Sequence, residues 1–206
     1  MAFSSARRYG LRLRLRPWAR LVAAGMTAIG AASCTGGSPP QTFDLSAAAD
    51  VGTRVGRGQL VVSEPFASAA LDSDRIVVRP HADQLNYYPA VQWADRLPSL
   101  VQTRLIESFE NAKVLRAVGR PGDRLAATVT LESEIRAFEI DIEQHEAVVE
   151  ISAKLVSDPG GRILASNLFS ARVPAASGGA AASVPALDAA LAEVLKQIVA
   201  WASARL

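Results

Sequence analysis

The sequence predicts an α+β domain: a mostly antiparallel sheet with two main helices packed on one face. Three observations lead there. Between Val129 and Leu155 apolar and polar residues alternate with a period of two, as in half-buried strands. Leu97, Leu100, Val101, Leu105 and Phe109 recur at helical spacing, and Leu187, Leu191, Val194, Leu195 and Ile198 do so again near the end. The other segments are short, β-branched and cut by proline or glycine, which is how short strands read. With 206 residues, half of them hydrophobic, the chain has the material for one sizeable core.

The first element is a leader. Arg7, Arg8, Arg12, Arg14, Arg16 and Arg20 precede the apolar run Leu21–Cys34, which ends on the only cysteine. A basic head, a short apolar middle and small residues before a cut make a secretory signal, and the run is shorter than the roughly 20 residues of a spanning helix. Ala31, Ala32 and Ser33 before Cys34 resemble a bacterial lipobox, although Ala31 stands where leucine is usual. In that motif the cysteine is lipidated and becomes the first residue of the mature protein. A small buried thiol, and ordinary cleavage nearby that frees a periplasmic protein, are the alternative readings. The expected organisation is a leader over 1–33, a flexible linker over 34–40 that begins at lipidated Cys34, and one domain over 41–206.

Within the domain, Gln41–Leu45 and Gln59–Ser63 read as strands, with a loop over Ser46–Gly58 between them. Arg75–Arg79 is a β-branched strand expected to stop at Pro80, and Asp83–Tyr88 an extended segment expected to stop at Pro89, because proline cannot donate to an interior ladder. Trp93–Glu110 takes helical period, with Pro98 in its first turn, Asp95 near its start, and Arg96, Gln102, Thr103 and Glu107 on the outward side. Val114–Val118 is a short strand before the Pro121-Gly122-Asp123 turn. Val129, Leu131, Ser133 and Ile135 share a face, then the phase slips to Phe138, Ile140 and Ile142, which predicts a β-bulge near Ala137. Val149–Leu155 and Ile163–Val173 complete an antiparallel meander. Ala175–Ala182 reads as a low-complexity loop, with Ser183 capping and Pro185 opening the last helix.

Charge and motifs narrow the function classes. With the six leader arginines set aside, the 22 basic residues fall to 16 against 20 acidic, about −4 net. That argues against a nucleic-acid partner, which calls for a basic face. A lone cysteine gives no internal disulfide. His81 and His145 have no ligand-spaced companions, and the acids from Glu132 to Glu150 fall mostly on the wet phase of a hairpin. No nucleophile elbow, phosphate loop or dinucleotide fingerprint occurs. The expectation is a non-enzyme with no metal and no cofactor beyond a covalent lipid on Cys34.

The informative cluster lies between Asp74 and Leu105. Tyr87, Tyr88 and Trp93 stand beside the helix start. Such a trio commonly packs as core and rim; the sharper reading is that part of it lines a contact with a partner or lipid. Here a family resemblance appears. Leu71–Arg79, then Leu85-Asn86-Tyr87-Tyr88, then Trp93-Ala94-Asp95-Arg96-Leu97-Pro98 and its helix resemble the ABC-type transport auxiliary lipoproteins, a family that takes in the paraquat-inducible protein C-like lipoproteins. The likeness runs from about Thr42 to the last helix, with Phe43 where tyrosine is frequent.

The resemblance implies a non-catalytic, lipid-anchored subunit on the periplasmic face of the outer membrane, docking an MCE-domain protein of an ABC lipid transporter. Thr35 after the cysteine is consistent with that address, since an aspartate there commonly holds lipoproteins at the inner membrane. Tyr87, Tyr88, Trp93 and Arg96 are the candidate partner-contact residues, and self-association into a homo-oligomer is plausible for such a family. A lipid-carrying module and a periplasmic hydrolase are the competing classes. An acyl-deep apolar cavity marks the first, and a convergent acid, base and nucleophile marks the second.

Overall fold

The two-residue alternation after Val129 builds the spine of the molecule. In the computed structural model, which describes residues 39–49, 58–158 and 160–206, β7 (Val129–Asp141), β8 (Glu146–Ser157) and β9 (Arg162–Pro174) form a continuous antiparallel meander. Leu131, Ile135, Phe138 and Ile140 of β7 lie opposite Leu155, Ile151, Val149 and Ala147 of β8, and all eight are buried. The register jumps from Ile135↔Ile151 to Ala137↔Glu150, so Arg136 is the extra residue of a bulge. That bulge keeps both Ile135 and Phe138 on the core face despite their odd spacing. Ile142, expected inward, lies past the last pair and is exposed.

The other edge of β7 is covered by three short strands laid end to end in parallel. They are β2 (Gln59–Val62), β3 (Phe66–Ala67) and β4 (Arg75–His81), facing Val129–Leu131, Glu134–Ile135 and Glu139–Asp141 in turn. β5 (Gln84–Trp93) turns back antiparallel to β4, and β1 (Gln41–Phe43) and β6 (Ala117–Gly119) close the flanks in parallel with β5 and β2. The longest pairings are antiparallel, and the parallel ones are short.

Neither proline stops its strand. Pro80 lies past the last β4–β7 pair, in a register shift between Val78↔Asn86 and His81↔Gln84. Pro89 lies in a longer shift between Val77↔Tyr87 and Arg75↔Gln92, where Ala90 takes a φ of 56°. Both fall where the ladder is already broken, so the missing N–H costs nothing there. The strand therefore continues to Trp93, which pairs with Phe43, and α1 runs only over Leu97–Ala112.

α1 and α2 (Ala180–Ser203) cover the core face of the sheet and touch each other. The leucines, valines and isoleucine of the two periodic stripes are buried as their spacing predicts. Burying each contributes about 1.5–3 kcal/mol before entropy is charged against it. Gln102, expected outward, is buried and donates its side-chain amide to the Val62 carbonyl at 2.9 Å, which satisfies it. The last helix begins at Ala180, before the expected cap. The alanine run is helical, Pro185 lies inside the helix, and the Ser183 hydroxyl donates back to Gly179 and Ala176 carbonyls.

The strand expected over Val114–Val118 is shifted to Ala117–Gly119, with Val114 buried beforehand. The start of the expected Ser46–Gly58 loop is held against the helices: Leu45 and Ala48 are buried, the Ala48 N–H donates to Ser108 Oγ at 2.9 Å, and the Ser46 N–H to Asp188 at 2.6 Å. Among the described residues no helix is long and apolar enough to cross a membrane. The leader, Cys34 and the linker up to residue 38 lie outside the described residues, as do residues 50–57 of the loop.

Candidate functional site

The recognisable segment is stitched by its backbone before any side chain acts. The Trp93 N–H donates to the Asp74 carbonyl at 2.7 Å, that of Ala94 to Phe43 at 2.8 Å, and that of Leu97 to Ser73 at 3.0 Å. The end of β5, the turn ahead of β4 and the first turn of α1 thereby become one junction. The Leu97 bond satisfies one of the orphan donors of the helix without a side-chain cap.

At that junction Trp93 turns inward. It is 1% exposed, its ring edge-on to Phe138 with centroids 5.7 Å apart and planes at 85°. Trp93 is thus beneath the surface, holding the junction in place. Tyr87 and Tyr88 are both half-buried, but neighbours on a strand face opposite sides. The Tyr87 hydroxyl donates to the Ala70 carbonyl at 3.4 Å, and the Arg75 guanidinium sits 3.5 Å over its ring. The Tyr88 hydroxyl instead lies 3.3 Å from Ser183 Oγ, at the start of α2. The four candidate residues do not form one patch: Trp93 supports from below, and Tyr88 belongs with α2.

Arg96 is the surface member. Its Nε donates to Asp72 at 2.9 Å, another of its nitrogens also meets Asp72, and Nη1 lies 3.0 Å from Glu64. The hydrogen bond it donates to Asp72 is the largest influence holding its pKa above the ordinary arginine value. Beside it, Asp95 Oδ1 accepts the Arg96 N–H and Oδ2 accepts the Ser99 hydroxyl, each at 2.7 Å. The Ser99 bond, then the Arg96 N–H, keep the Asp95 carboxyl below its usual pKa. Asp95 thus stands one residue before the N-cap and holds the Arg96 N–H and the Ser99 hydroxyl, while no side chain caps the first-turn N–H groups.

The turn over 70–75 links these groups, since Ala70 accepts from Tyr87, Asp72 from Arg96, and Arg75 covers the Tyr87 ring. The result is a turn that carries a salt-linked cluster on Asp72 and a cation-covered, half-buried aromatic at Tyr87, chemistry suited to recognition. His81 lies 3.4 Å from Glu143 in an exposed pair, and His145 takes a φ of 54° in the β7–β8 turn. Among the described residues no three His, Cys, Asp or Glu side chains are placed to hold a metal ion.

Two polar nodes had no signature in the sequence. Arg79 forks onto Glu139 at 2.5 and 3.0 Å, with the Glu139 side chain only 9% exposed. Glu139 falls among the acids that read as the wet phase of the hairpin, yet it is buried; its partner is 60 residues away, too far for any local pattern. Arg104 joins both Asp44 oxygens at 2.8 Å and Glu107 at 2.6 Å, tying the segment after β1 to α1. The Arg104 bond also lowers the Asp44 pKa.

This fold has known relatives. Residues 43–199 match the family model described as ABC-type transport auxiliary lipoprotein component. Protein bll6063 of Bradyrhizobium diazoefficiens is 34% identical over 171 residues, which are 81% of this chain and 46% of that protein, so the chain spans about half the length of this relative. The crystal structure of protein XCC0632 from Xanthomonas campestris superposes with a TM-score of 0.72 at 28% identity, over 80% of this chain and 94% of that one. The hypothetical protein CT253 from Chlamydia trachomatis shares the fold alone, with a TM-score of 0.50 at 10% identity over 73% and 98% of the two chains. The polar junction around Arg96 and Tyr87 lies within the matched residues, and the chain belongs to the ABC-type transport auxiliary lipoprotein component family.

Proposed function

We propose that this protein is the anchored docking subunit of an MCE-type ABC lipid transporter. Cys34 carries the lipid, the linker to Pro40 spaces the domain from the bilayer, and the domain binds the MCE-domain protein from the periplasmic face of the outer membrane. The family match over residues 43–199 carries this reading, because it ties the chain to transport as an auxiliary lipoprotein. Several acyl chains on one cysteine anchor firmly where a single chain binds marginally. The salt-linked cluster of Glu64, Asp72 and Arg96, with Tyr87 on the same 70–75 turn, is the docking surface in this reading, and Trp93 is its internal support.

Beside this cluster the chemistry suits docking better than carriage, whereas the smaller cleft of about 310 Å³ next to Tyr88, Ile140 and Ile142 is the more apolar one. The cleft of about 440 Å³ between Ser63 and Lys154 is walled by Glu64, Glu132, Glu134 and Lys154, which suit a polar protein contact and would leave an acyl chain beside charges. The reading is tested by affinity capture of the tagged full chain from native membranes. The expected result is co-purification of an MCE-domain protein with wild type and its loss with Arg96→Glu. Capture with no MCE-domain protein, or capture indifferent to Arg96, would overturn it.

A further inference from the structure

Among the described residues four strands, β1, β3, β6 and β9, pair on one side only, and they are guarded unequally. β1 and β6 are three residues long and β3 two, the usual way to blunt an edge. β9 is thirteen residues long and, among the described residues, pairs only with β8. An antiparallel strand paired on one side directs half its N–H and C=O groups away from that partner. The stretch Ile163–Ala171 holds no charge and no proline, and Ile163, Leu164 and Leu168 are exposed. A bulge bends the start of the strand near Leu164, but from Ala165 onward β9 runs in regular register with β8. This is the geometry onto which another strand adds.

Charge decides what the strand wants. Arg162 stands at its head, Arg172 near its tail, and it contains no acid. Arg172 is only loosely held, 3.4 Å from Glu146 and 60% exposed. Two copies paired antiparallel through the middle of this run would set the Arg162 of each against the Arg172 of the other, and parallel pairing sets like against like. We propose that the free edge of β9 is a strand-addition site for an extended segment of a partner protein, uncharged across Ile163–Ala171 and acidic at both ends. The site does not rest on the transporter reading, for it asks only for an acid-ended extended chain.

The test uses the full-length protein in detergent and two fluorescein-labelled synthetic peptides of alternating threonine and valine, one ended by aspartates and the other by lysines. Fluorescence anisotropy is expected to show saturable binding of the aspartate-ended peptide, at least tenfold tighter than the lysine-ended one. Arg162→Glu with Arg172→Glu should reverse that preference. Leu168→Lys, or Ser166→Lys as a second exposed position, should weaken binding at least tenfold with the circular dichroism spectrum unchanged. Amide exchange should slow across 163–171 when the aspartate-ended peptide is bound. No saturable binding, equal affinity for both peptides, or slowed exchange confined to other strands would overturn the proposal. So would a dimer in sedimentation equilibrium that Leu168→Lys dissolves, because the occupant would then be a second copy.

Discussion

Replacing Trp93 and Arg96 in separate variants should divide stability from recognition. Trp93 is 1% exposed and packs edge-on to Phe138, so Trp93→Ala removes a buried indole and leaves a cavity at the β5–α1 junction. Truncations of that kind cost about 3–5 kcal/mol. The junction is also held by the backbone bonds to Asp74 and Ser73, which limits its collapse into the space and puts the expected loss near ~4 kcal/mol. With a urea slope of about 2 kcal/mol per molar, the unfolding midpoint should fall by about 2 M. Arg96→Ala removes an exposed salt-linked side chain and should leave the unfolding midpoint close to that of wild type. Urea unfolding followed by tryptophan fluorescence and by far-ultraviolet circular dichroism reads both variants, and the partner capture described above reads the second. A Trp93→Ala loss under about 1 kcal/mol would refute the placement of this side chain. An Arg96→Ala midpoint lowered as far as that of Trp93→Ala would refute the view of Arg96 as a surface group.

Three further outcomes follow from the polar nodes and one glycine. Arg79→Met strands the Glu139 carboxylate in the sheet; with Arg79 itself 27% exposed, the cost should be about 2–3 kcal/mol in urea unfolding, and adding Glu139→Met should recover much of it. Gly119→Ala brings a Cβ within 2.6 Å of Asp123 Oδ2 and 2.8 Å of a Leu125 methyl carbon, which should displace the Asp123 bond to the Arg120 N–H and lower stability by about 1–2 kcal/mol, measured in the same way. Asp44 has its folded pKa below the ordinary 3.8, chiefly through the Arg104 hydrogen bond, so its stabilising contribution is full above that value and is lost as pH falls through the folded one. The stability gap between wild type and Asp44→Asn should therefore be flat above pH 3.8 and shrink below it in acid titrations of the unfolding midpoint.

The parts legible in the sequence are those governed by local period. The two helical stripes and the phase slip around Arg136 could be read because helix and strand faces repeat every few residues. What escaped depends on distant partners. Pro80 and Pro89 are tolerated because the β4–β5 register is already broken there, which no local pattern reveals. Gln102 sits on what reads as a polar face until the Val62 carbonyl of β2 is laid against it. Trp93, read as a candidate partner contact, lies in the core because the strand continues past Pro89 and carries the indole inward. Tyr87 and Tyr88 looked like a pair in sequence, yet strand geometry sends one to the 70–75 turn and the other to α2.

The account depends most on the anchor at Cys34. Intact-mass and amino-terminal peptide mass spectrometry of the protein purified from its native membranes measures it directly. The account predicts a mature chain that begins at Cys34 and carries a thioether-linked diacylglyceryl group. A mature chain with an unmodified amino terminus, or one that retains a free Cys34 thiol, would contradict it.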